Sequence, residues 1–138
     1  MRRVGLFVPC FVDLYYPDAA MATLELLEKH GCTVGYPQGQ TCCGQPMANA
    51  GCAGDAAAVA RRFVELFRDY DAVVGPTGSC VAMVRHQYPR LLPDDPVVEE
   101  LAQRTYEICE FLVDILKVTH LESRCDRRVA LHNGCHGL

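Results

Sequence analysis

Four short runs rich in β-branched and apolar residues punctuate this chain: RRVGLFVPC (2–10), CTVGYP (32–37), DAVVGP (71–76) and RRVALHNGC (127–135). Stretches of helical periodicity separate them. Strands that alternate with helices return to the sheet through right-handed crossovers and so lie parallel. The expected fold is therefore α/β: a parallel sheet with flanking helices in a Rossmann-like, three-layer arrangement.

The helical stretches are legible from their spacing. Pro17 and Asp18 suit a helix start, Met21, Leu24 and Leu27 share a face, and Gly31 supplies a stop. Ala56, Val59, Ala60, Phe63, Leu66 and Phe67 form a second apolar face, with Arg61, Arg62, Glu65 and Arg68 around it. A third helix is expected after TGSC, through Val81 and Val84. Beyond the proline-rich loop YPRLLPDDP, the steps of three and four through Val98, Leu101, Thr105, Ile108, Leu112 and Ile115 predict one long helix.

Parallel sheets gather their functional groups beyond the carboxyl ends of the strands. Each candidate strand here is followed by cysteine: Cys10, then Cys42 and Cys43, then Cys80, then Cys135. Nine cysteines in 138 residues, with no secretion signal, point to metal binding or redox chemistry rather than disulfides. Cys32, Cys109, Cys52 and Cys125 are expected to be small buried packing residues. Adjacent cysteines are poor disulfide partners, because bridging them closes a small strained ring. Thiolates are soft ligands, so Cys10, Cys42, Cys43 and Cys80, spaced C-x31-CCG-x35-C, suit an iron–sulfur cluster or zinc. Gly44 lets the backbone pass close to such a group. A helix start at Cys80 favours its thiolate. Gln45, Thr77 and Ser79 are candidate hydrogen-bond donors to sulfur and equally ordinary loop residues. Tyr15 and Tyr16 are expected to be half-buried packing or a cover for the site.

The net charge of −4 gives no reason to expect a nucleic-acid partner. No run approaches the length of a membrane span, and the chain is expected to be soluble and cytoplasmic. Neither a dinucleotide-binding GxGxxG loop nor a Walker loop occurs, and the closely spaced ferredoxin cysteines are absent. Cys80 and Arg85 are one residue too close for the C-x5-R anion cradle of thiol phosphatases. Residues 127–135 echo residues 2–10, with Arg-Arg-Val, a small residue and Leu before a cysteine, which is read as the start of a repeated unit.

The motifs VPCFVDLYYP, GQTCCGQPM, GPTGSCVAMVRHQYP and HNGCH resemble the CCG cysteine-rich domain family. That family includes heterodisulfide reductase and the iron–sulfur subunits of lactate and glycolate oxidation systems. The resemblance covers essentially the whole chain. It implies an iron–sulfur electron-transfer subunit of an L-lactate or glycolate oxidation complex, not catalytic alone, whose partners are the other subunits of that complex. It implies Cys10, Cys42, Cys43 and Cys80 as ligands of a [4Fe–4S] type cluster, with zinc as the alternative. The family unit ends in CxxC; here Met83 stands at the last cysteine, which leaves four thiolates. The family carries two such units, so residues 1–124 are read as the first and 125–138 as the opening strand of a second, to which Cys135 would belong. His132 and His136 flank Cys135 and are read as solvated. The alternative functions are a zinc-stabilised structural or interaction module, and a heterodisulfide-reductase-like thiol-redox protein using Cys43 or Cys80.

Overall fold

A computed structural model describes residues 2–132 and 134 of the chain. Four strands form one parallel sheet in the order β2-β1-β3-β4: β1 Arg3–Leu6, β2 Thr33–Gly35, β3 Ala72–Gly75 and β4 Thr105–Glu107. The strands alternate their side chains between two cores, as the two-residue period of a strand requires. Val4, Leu6 and Val8 join Ala72 and Val74 on one face; Phe7 and Val73 point to the other. A sheet buried on both faces is the parallel α/β arrangement expected from the sequence.

The first face is covered by α1 (Cys10–Tyr15), α2 (Pro17–Lys29) and the segment α8 (Ile108–Glu110) that continues as a π-helical turn, Phe111–Ile115. The second is covered by α4 (Ala53–Phe67), by α5 (Gly78–Ala82) running through a π turn at Met83–Gln87 into α6 (Tyr88–Leu91), and by α7 (Pro96–Gln103). A short α3 (Gln45–Asn49) follows the double cysteine. The boundaries of α2 match the expected start at Pro17 and the stop before Gly31, whose φ of +81° only glycine adopts readily.

Two expectations are corrected. The single helix through Val98–Ile115 is instead α7, β4 and α8. Asp95 caps the first part by accepting from the Val97 N–H at 3.0 Å. Thr105 and Tyr106, β-branched and aromatic, then extend and pair with β3. The Glu107 carboxylate restarts a helix by accepting from the Cys109 N–H at 2.7 Å. The second correction concerns the fourth strand expected at 127–135. Its described residues, 127–132 and 134, are exposed and form no strand, because they have no neighbour to share backbone hydrogen bonds. Cys135 and His136 lie outside the described residues.

Candidate functional site

The carboxyl ends of β1 and β3 converge on one rim of the sheet, and the loop after β2 is drawn to it. Gln40 does the drawing. Its side-chain carbonyl accepts from the Val8 N–H at 2.9 Å, and its amide donates to the Leu6 carbonyl at 2.8 Å. The amide thus imitates a neighbouring strand and satisfies β1 just where its backbone runs past its last ladder partner. That clamp brings Cys42 and Cys43 to Cys10, which opens α1 directly after Pro9.

From the other side, β3 leads through Pro76 and Thr77 into α5, and Cys80 lies in that helix's first turn. Below it, Phe7, Phe63, Phe67 and Tyr88 make an aromatic floor, with Phe7 and Phe63 edge-on at 4.9 Å and Phe63 and Tyr88 edge-on at 5.4 Å. The Tyr88 hydroxyl rises from that floor and donates to the Cys43 carbonyl at 3.0 Å. Cys43, Cys80 and Met83 are buried in this core, Cys42 is half-buried and Cys10 is exposed. Gly44, at φ +86°, turns the chain into α3 and points its N–H at the Cys42 sulfur, 3.4 Å away.

The four thiols stand as two neighbouring pairs, Cys10 beside Cys42 and Cys43 beside Cys80, and each pair is close enough to shift the ionisation of its members, with Cys80 and Cys42 also acting on the opposite pair. The hydrogen bond from Cys43 brings the Cys80 pKa down to about 6 against the opposing effect of burial, with the Thr77 and Ser79 hydroxyls helping. Thr77 Oγ1 is buried there without a hydrogen-bond partner of good geometry. Cys43, the donor of that bond and itself buried, is pushed far above the ordinary thiol range. Burial, and then its bond to Cys42, also raises Cys10. The Tyr88 phenol is raised by burial and by the neighbouring cysteines.

The donors therefore fit a thiolate-bound group: four soft sulfurs, one ionised near neutrality, and no carboxylate or imidazole among them. They do not form a ready-made cage for one ion, since among the described residues no three Cys, His, Asp or Glu side chains converge as an ion site. Cys10, Cys42, Cys43 and Cys80, expected beyond the carboxyl ends of the strands, lie at that rim. The sequence does not announce Gln40 and Tyr88, whose partners are 32 and 45 residues away and leave no local pattern. Cys32 is buried as expected, whereas Cys52, Cys109 and Cys125 are exposed and play no packing role. Tyr15 and Tyr16 are exposed too, their rings tilted against Phe11 at centroid distances of 5.4 and 5.3 Å in a shelf beside Cys10.

The chain is 45% identical to lactate utilization protein A of Halalkalibacterium halodurans over 138 aligned residues, which cover 97% of this chain and 56% of that protein. It is 43% identical to lactate utilization protein A of Bacillus subtilis, with 97% and 58% covered. The chain thus spans a little over half the length of these relatives. No solved structure gives a significant match. Residues 4–85, which contain β1 to β3 together with Cys10, Cys42, Cys43 and Cys80, match the family model described as CCG, cysteine-rich domain. By that match the chain belongs to the CCG cysteine-rich domain family.

Proposed function

We propose that this chain is an iron–sulfur electron-transfer unit of a lactate-oxidation system, with its cluster held by Cys10, Cys42, Cys43 and Cys80. The observation that carries the reading is that one rim of the sheet bears two neighbouring cysteine pairs, Cys10 with Cys42 and Cys43 with Cys80. A single zinc ion needs four donors aimed at one centre. A polynuclear cluster takes its thiolates on different metal atoms, which suits two pairs better. When bound, such a cluster supplies reversible one-electron transfer.

The chain's own residues prepare that site. Cys43, Thr77 and Ser79 hold the Cys80 sulfur as thiolate, the ligating form. The Gly44 N–H faces the Cys42 sulfur. Gln40 and Tyr88 fix the double-cysteine loop from its two sides, and the Phe7–Phe63 floor keeps water from beneath. Met83, buried with Cys43 and Cys80, offers only a thioether where the family has its last cysteine, so the unit supplies four thiolates and suits a [4Fe–4S] cluster.

The names of the relatives favour lactate over glycolate as the substrate of the whole system. The exposed shelf of Phe11, Leu14, Tyr15 and Tyr16 supports a contact with partner subunits next to Cys10. Among the described residues no helix is long and apolar enough to cross a membrane. The test is a redox titration of anaerobically reconstituted protein followed by electron paramagnetic resonance. A reversible one-electron signal, lost in Cys43→Ser, is expected. Bound zinc with no redox-active signal would refute the reading.

A further inference from the structure

The strand β2 lies at the edge of the sheet and pairs only with β1 among the described residues. Beside its free edge, on the face covered by α2, runs an apolar groove of about 440 Å³. Val34 and Tyr36 form its floor and Met21 and Leu24 its wall, with the Asp13 carboxylate near one end and the Glu28 carboxylate near the other. Tyr36 and Met21 are half exposed there. An open row of backbone groups next to an apolar groove is the geometry that accepts an added strand.

We propose that this groove and edge are the docking site for the chain's own segment Arg127–Leu131, which adds to the sheet as a fifth, parallel strand beside β2. Four observations point to this occupant. The chain is already tethered at the right end: Glu122 pairs with Lys29, the last residue of α2 and the neighbour of Glu28, at 3.7 Å. Arg128 lies six chain steps beyond Glu122, a reach of roughly 20 Å when extended, which is ample. In the conformation described, the segment stands clear of the groove, leaving Val129 78% and Leu131 90% exposed while the groove beside their tether is open.

The sequence of the segment fits the edge. RRVAL repeats the RRVGL of β1, whose Val4 and Leu6 point to this same face of the sheet. Carrying over the β1–β2 register puts Arg128 beside Thr33, Val129 beside Val34 and Leu131 beside Tyr36. Both apolar side chains then enter the groove, Arg127 comes on the same face to the end that carries Glu28, and Arg128 falls on the opposite face, where its counterpart Arg3 lies over Tyr70. Ala130 falls on the opposite face and extends the column of small residues, Gly5 and Gly35, that Tyr70 covers. The topology agrees. The β1-to-β2 connection crosses the α2 face in the direction of this edge. The path from β4 through α8, Phe111 and Leu112 crosses the same face in the same direction, so both crossovers have one hand.

Hydrogen exchange on the full chain, read by mass spectrometry with native mass measured alongside, tests the proposal. Peptides covering 128–132 should exchange at least about ten-fold more slowly than an unstructured chain. Leu131→Asp should abolish that protection and lower it at Val34–Tyr36, while α4 keeps its own, which shows the variant folded. Exchange of 128–132 at the unstructured rate in the unsubstituted chain would overturn the proposal, as would protection that survives Leu131→Asp. Protection that appears only with a dimer mass and is lost on dilution would also overturn it, by assigning the groove to a second copy.

Discussion

Replacing Gln40 with leucine keeps the side chain's bulk and removes both of its hydrogen bonds to β1. The Val8 N–H and the Leu6 carbonyl, bonded at 2.9 and 2.8 Å, are left without partners in a partly buried position. An unsatisfied buried backbone group costs about 1–3 kcal/mol, and partial access to water holds each of these to the lower end. The expected loss is therefore about 2–3 kcal/mol, which for a domain of this size corresponds to a fall of roughly 6–12 °C in Tm. Urea unfolding of the reduced, metal-free protein measures the free energy. Amide exchange at Val8 reads the lost bond directly. Gln40→Glu sharpens the argument. Its carboxylate still accepts from Val8 but faces the Leu6 carbonyl with another acceptor, so its destabilisation should ease as acid protonates the carboxyl group. A change below about 0.5 kcal/mol in Gln40→Leu, within the scatter of surface substitutions, would refute the clamp.

Three further outcomes are expected. Alkylation of Cys80 in the metal-free protein should rise with pH through about 6, far below an ordinary thiol, and Thr77→Val should move the midpoint upward; a midpoint near 9 would contradict the Cys43–Cys80 pairing. Because Cys80 ionises more readily folded than unfolded, it adds stability that grows as pH rises from about 6 towards 9 and is lost again as pH falls through 6. Cys43, whose pKa is raised, works the other way and withdraws stability once pH passes the ordinary thiol value of 9.0, so urea midpoints should peak near there. Tyr88→Phe should cost about 1–2 kcal/mol in urea unfolding, because it strands the buried Cys43 carbonyl. Glu107→Ala should cost about 1 kcal/mol by the same assay, through loss of the cap that restarts the helix at Ile108.

Much of this arrangement is legible in the sequence because local chemistry dictates it. The runs at Val4–Val8 and Ala72–Val74 are apolar at every position, as strands buried on both faces must be, and the Pro17 start and Gly31 stop of α2 are set by backbone preferences alone. The cysteines announce their rim because each follows a strand. The misreading of Val98–Ile115 has a definite cause. Steps of three and four place apolar residues on one helical face, and the same residues serve two short helices and a strand when β3 offers an edge to Thr105 and Tyr106. A strand is a property of its neighbour as much as of its own residues, which is also why 127–132 carries a strand's pattern while standing unpaired. Gln40 shows the limit from the other side: its two bonds define the site's geometry, yet glutamine before a double cysteine announces no partner 34 residues earlier.

That Cys10, Cys42, Cys43 and Cys80 together bind one iron–sulfur centre is tested by iron, acid-labile sulfide and zinc content per chain after anaerobic reconstitution, in the unsubstituted protein and in each of the four Cys→Ser variants. About four irons with matching sulfide are expected, as a [4Fe–4S] cluster requires, with a marked loss in every one of the four. Zinc without sulfide, or full iron content retained in any single variant, would contradict it.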